Sequence, residues 1–229
     1  YKPFVSIGSS VRIPWWDGEA LGIVASMSPD MHYEGDIKSI LWPHSSVAWL
    51  SASEIALIVW LARHLFVRIH TLVQIFLPLG LIALFEKNNF LDLTTPVVPD
   101  GRGERTYTVA PDEASLMDYL EKKLREKPGV VILPEGVSVK WWSRIFPDSL
   151  IDTHSKSLST QKRVYLDLLT QKYPVVFGTR RTLLKRLWWY KHIYIVHETL
   201  SPDINFGRRK IPLWMMTDFL EAHGHIIHF

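Results

Sequence analysis

The chain contains no cysteine, and that one absence removes several kinds of chemistry. Disulfides, thiolate zinc sites and a cysteine nucleophile are excluded; with no disulfide framework and no signal-peptide pattern, the expected location is cytoplasmic. Charge of one sign is also scarce: 26 Lys and Arg face 23 Asp and Glu, for a net +3. So mild a balance is compatible with nucleic acid without pointing to it. Uninterrupted apolar runs of bilayer-spanning length are lacking too. The stretch from Ile69 to Phe85 has no Asp, Glu, Lys or Arg, but His70, Gln74, Pro78 and Gly80 break it. A helix followed by a Pro-Gly turn is expected there, rather than a membrane span. There is no internal repeat, no low-complexity tract and no Gly-x-Ser-x-Gly elbow. His223, His225 and His228 come without a carboxylate pattern, so no metal site is expected.

What is present is apolar surface. Hydrophobic residues make up 47% of the 229, enough to rule out a disordered chain and to build the cores of one large domain or a few small ones. Ten Trp is a heavy load, with packing as the default role for most of them. The chain opens at Tyr1 rather than Met, which reads as a fragment.

The first forty or so residues read as short strands, Ser10 to Pro14 and Ala20 to Ser26, around a turn at Trp16-Asp17-Gly18, with a third over Ile37 to Trp42. Ser51-Ala-Ser-Glu54 is a capping box, and Ile55, Ile58, Val59, Ala62 and Leu65 follow at helical spacing. A second helix is expected over Thr71 to Phe76, ended by Pro78. Residues 94–103 read as a linker. Beyond it, strands at 106–109, 130–133, 151–153, 175–177, 192–196 and 225–229 alternate with helices at 112–127, 159–172 and 209–222. That alternation predicts a parallel α/β sheet.

The order of several short motifs resembles the N-terminal half of the primosomal protein N′ (PriA) replication-restart helicases. Val11-Arg-Ile-Pro-Trp15, Leu21-Gly-Ile-Val-Ala25 and Asp36-Ile-Lys-Ser-Ile40 are similar to the strands of that family's 3′-DNA-binding domain. Ala56 to Leu81, with Trp60-Leu-Ala-Arg-His64 and Leu77-Pro-Leu-Gly-Leu81, resembles its winged-helix segment. Leu133-Pro-Glu135, His154-Ser155 and Val175-Val-Phe-Gly-Thr-Arg180 resemble steps of its first RecA-like lobe, the last being the most specific. Ile193-Tyr-Ile-Val-His-Glu198 stands where the family has Asp-Glu-Glu-His. The resemblance therefore implies three modules: a β-rich 3′-DNA-binding domain at 1–45, a winged helix with linker at 46–100, and a truncated RecA-like lobe with a parallel sheet at 101–229.

The departures bear on activity. ATP hydrolysis needs a glycine-rich loop whose N–H groups cradle phosphates, a Lys on the β/γ-phosphates and a Ser/Thr on magnesium. In register with the family that loop falls at 109–116, where there is no glycine, Ser115 and Leu116 replace Lys and Thr, and Asp112 and Glu113 would repel a triphosphate. His197 replaces the magnesium-binding Asp, while Glu198 keeps the place of the water-activating Glu. No ATPase is expected and no cofactor; the family's zinc module belongs beyond residue 229.

What the resemblance preserves is DNA binding. It assigns Lys38 to the pocket for the terminal 3′ nucleotide and Tyr1 to an adjoining aromatic step. Trp15 and Trp16 replace the family's Phe-Gly turn, where stacking on a base, narrowing of the pocket and plain packing all stay open. Thr179 and Arg180, with Arg181, Lys185 and Arg186 nearby, match a motif that contacts the phosphates of single-stranded DNA. Forked or single-stranded DNA and other replication-restart proteins are the expected partners. An active 3′→5′ helicase and a protein-interaction scaffold without DNA binding are the competing functions.

Overall fold

The computed structural model describes residues 5–28, 39–77, 82, 101–134, 139–152, 157–185, 187, 189–196, 203–206 and 209–229. The chain divides into two compact units, 1–95 and 96–229.

In the first unit β1 (Ser9–Trp15), β2 (Gly18–Ile23) and β3 (Trp42–Ala48) form an antiparallel sheet in the order β2-β1-β3. β1 and β2 pair from Ser10↔Ile23 to Trp15↔Gly18, which leaves Trp16 and Asp17 as a two-residue loop. The third strand lies later than the sequence suggested: Trp42 begins it, and 37–38 fall outside the described residues. Gly8 is fixed by its surroundings. Its φ is +87°, and a Cβ there would sit 1.6 Å from the Leu50 carbonyl oxygen. Its own N–H and C=O bond Val24 and Trp49, so the chain can tuck beneath the helix entrance only at a residue without a side chain.

Helix α1 (Ala52–His64) starts where the capping box predicted. The Ser51 hydroxyl accepts from the Glu54 N–H, and the Glu54 carboxylate accepts from the Ser51 N–H at 2.7 Å. Ile55, Leu57, Ile58, Leu61 and Ala62 are buried. α2 (Ile69–Phe76) buries Leu72 and Phe76. Among the described residues no helix is long and apolar enough to cross a membrane.

The second unit is built on a six-stranded parallel sheet. Its strands are β4 (Glu104–Thr106), β5 (Gly129–Leu133), β6 (Ser149–Asp152), β7 (Val175–Thr179), β8 (His192–Ile195) and β11 (Ile226–His228), in the order β4-β11-β8-β5-β7-β6. The central runs Val130–Leu133 and Val175–Phe177 are wholly buried, as strands of a covered parallel sheet should be. α3 (Glu113–Glu126) packs Leu120 and Leu124 onto Val131, Leu133, Phe177 and Tyr194. α4 (Val139–Ile145), which no sequence pattern announced, adds Trp142, which stacks on Phe177 at 5.1 Å between ring centroids. α5 (Leu158–Leu169) and α6 (Leu213–Ala222) complete the helices.

One expected helix starts later than predicted. Residues 209–212 are not helical: β10 (Arg209–Pro212) pairs antiparallel with β9 (Asp203–Phe206). Pro212 lacks an N–H and biases Ile211 toward extended backbone, so the helix begins just after it. The first strand of the sheet is likewise displaced, to Glu104–Thr106, although Thr108 N–H still donates to the Phe229 carbonyl.

Candidate nucleic-acid interface

The tip of the β1–β2 hairpin carries two large exposed aromatics. Trp15 is 56% and Trp16 86% exposed, so neither packs into the sheet. Trp16 also has φ +50°, a left-handed conformation that a bulky residue adopts at a cost of roughly 1–3 kcal/mol. Two-residue hairpin loops ask for positive φ at this first central position and normally fill it with Gly, Asn or Asp. Here the loop instead holds an indole in solvent beside a second one. Two largely exposed indoles therefore follow one another at the hairpin tip.

A second feature of this unit was not singled out as a site in the sequence. Ile7, Ala25, Ile55, Val59, Trp60 and Arg63 line a shallow cavity of about 330 Å³ against α1. Trp60 and Arg63, one helical turn apart, both line it. The i, i+3 spacing of that pair is legible in the sequence, but it reads there as helix and nothing more. Tyr1 and Lys38 lie outside the described residues.

The basic motif of the second unit is arranged otherwise. Arg180 is 2% exposed, Thr182 is fully buried, and both belong to a 3₁₀ turn (Arg180–Leu184) that follows β7. Arg181 donates its Nε–H to the Asn205 carbonyl at 2.7 Å. Lys185 binds both oxygens of buried Asp152 at 2.7 Å, and the Thr182 hydroxyl donates to the same carboxylate. Gly178 makes this arrangement possible: a Cβ there would lie 2.1 Å from the Thr182 hydroxyl oxygen. Arg180 is thus buried, and its neighbours Arg181, Thr182 and Lys185 are engaged by interior carbonyl and carboxylate groups. Thr179 is half-buried at the strand end, and Arg186 lies outside the described residues.

The loop expected to correspond to a nucleotide site runs from the end of β4 into α3. Asp112 is the N-cap of that helix, accepting from the Ser115 N–H at 2.8 Å. This backbone bond, with weaker help from the Ser115 side chain and Ala114, lowers the Asp112 carboxyl below its ordinary pKa. A carboxylate of the chain itself therefore takes one of the N–H groups that a phosphate at this terminus would use. Ser115 contributes its backbone N–H there, and Leu116 turns partly into the core. His197 and Glu198 lie outside the described residues.

Beside this loop, Thr106, His228 and His192 are joined across neighbouring strands, with Thr106 Oγ1 to His228 Nδ1 at 2.7 Å and His228 Nε2 to His192 Nδ1 at 3.1 Å. Burial, then the neighbouring His192, Lys127 and Lys123, push the His228 pKa down to about 4. His225 is buried with Nδ1 on the Tyr190 carbonyl, and His223, at the end of α6 rather than on a strand, contacts the Phe219 carbonyl. Among the described residues no three His, Asp or Glu gather as metal ligands.

The first unit thus combines an antiparallel sheet, two exposed indoles and a cavity lined by Trp60 and Arg63. Residues 2–78 match the family model of the PriA 3′DNA-binding domain (3′BD). That match supports a PriA-like protein and, at family level, DNA binding in replication restart. It runs from the sheet through α1 and α2, helices that the motif order had suggested belong to a winged helix. No curated protein matches the chain.

Proposed function

We propose that this chain binds forked or branched DNA at a free 3′ end, as a step in replication restart, and that it does so without hydrolysing ATP. The observation that carries the reading is the match of residues 2–78 to the PriA 3′-DNA-binding domain. The sheet, α1 and α2 then act as one DNA-binding module. Trp15 and Trp16 stack on unpaired bases at the fork, and Lys38 neutralises the phosphate next to the terminal nucleotide. Residues 101–229 are a RecA-like lobe, an assignment supported by the parallel sheet and by the loop and helix that follow its first strand. The glycine-free loop and the Asp112 cap are what speak against nucleotide hydrolysis there.

The test is a titration of forked DNA with a free 3′-hydroxyl against the same fork carrying a 3′-phosphate, with a thermal scan in MgATP alongside. The expected result is tighter binding of the free end, a preference reduced by Lys38→Ala, and no rise in melting temperature with MgATP. Equal affinity for both forks would refute the 3′-end reading, and a clear MgATP stabilisation would refute the loss of nucleotide binding.

A further inference from the structure

The glycine-free loop borders a cavity of about 530 Å³, a volume suited to a small organic ligand. Its lining combines aliphatic side chains with aromatic and acidic ones. Tyr107, Tyr119, Tyr194 and Phe229 contribute aromatic rings, and Asp112 and Glu113 contribute carboxylates. Tyr107 stacks on Phe229 at 5.0 Å between centroids and is itself largely exposed, so the pair presents aromatic surface to anything that enters. Among the described residues no Lys or Arg lines the cavity. Lys123 lies over the Tyr119 ring, outside the lining, and is 3.9 Å from Glu126. His228, the remaining titratable lining residue, has both ring nitrogens engaged by Thr106 and His192.

We infer that this cavity is a binding site for a small organic ammonium ion, an apolar body bearing one protonated amine. Aromatic faces attract cations through their quadrupoles, and the two carboxylates favour positive charge over negative. The charge preference is the reverse of what a nucleotide needs. Amine binding here rests on the cavity alone and is independent of DNA binding by the first unit.

The test uses the whole 229-residue chain and two probes of similar shape and opposite charge, phenethylammonium and 3-phenylpropionate, followed by amide NMR shifts. The expected result is a saturable response to the amine at Val109, Ala110 and neighbouring amides, with binding of the carboxylate weaker by about tenfold or more. Exposed charge pairs are individually modest, so Glu113→Gln and Asp112→Asn, which keeps a capping side chain, should each weaken the amine by about two- to fivefold. Tyr107→Ala, at an exposed position, should weaken it as well. No saturable response at millimolar amine overturns the inference. So does equal binding of the two probes, or amine binding indifferent to all three substitutions.

Discussion

The two units place similar sequence signals on opposite sides of their surfaces. In the first, the distinctive residues face solvent: Trp15 and Trp16 stand out from a hairpin tip at the expense of backbone strain. In the second, Gly178, Arg180 and Thr182 are drawn inward, and Lys185 is tied to a buried carboxylate. A basic cluster read along a sequence is only a count of charges. Whether it meets a phosphate depends on which carboxylates and carbonyls the fold has brought to it first.

The inward half of this contrast is most open to challenge at Asp152. Removing one member of a buried ion pair leaves the other charge uncompensated, so Asp152→Ala should destabilise the second unit by about 3–5 kcal/mol in chemical denaturation. A cost near zero would mean that Lys185 is solvated and available for DNA after all. Gly178→Ala should be next, at about 1–3 kcal/mol, because the new methyl must displace the Thr182 side chain. Trp16→Gly should act in the other direction. Relieving the left-handed strain should stabilise the first unit by about 1 kcal/mol while weakening fork binding by a similar amount. A variant that gained stability and kept its affinity would remove Trp16 from the interface.

A further effect is expected on pH dependence. A free His titrates near 6.5, whereas His228 in the fold titrates near 4, so between these values the unfolded chain holds more protons. Stability of the second unit should therefore fall as pH drops from about 6.5 to 4 and level off below. His228→Phe should flatten that slope in acid denaturation; an unchanged slope would place the titrating group elsewhere.

Much of this architecture was legible in the sequence because local chemistry dictated it. The Ser51–Glu54 box set a helix start to the residue, the Trp16-Asp17 turn gave the hairpin, and β-branched runs alternating with helices gave the parallel sheet. The misses were decided by pairing and packing partners rather than by local pattern. Arg209–Pro212 became a strand because β9 was there to pair with it, though Ile211-Pro212 carried a hint. α4 escaped notice because the residue it contributes to the core, Trp142, finds its partner Phe177 35 residues later. The site divides the same way. The exposure of Trp15 and Trp16 and the burial of Arg180 are tertiary facts, and no spacing announced them.

The most direct test of this division is a salt-resolved titration of forked DNA with two variants, Trp15→Ala/Trp16→Ala and Arg181→Ala, each checked for folding by its melting curve. When a basic side chain that neutralises a phosphate is removed, the dependence of affinity on salt becomes shallower by roughly one unit. The tryptophan variant should lose affinity while keeping its melting temperature. The arginine variant should keep both affinity and salt slope but melt earlier, for want of the Asn205 bond. An arginine variant with intact stability, weaker binding and a shallower salt slope would place Arg181 on phosphate and contradict the inward assignment of this cluster.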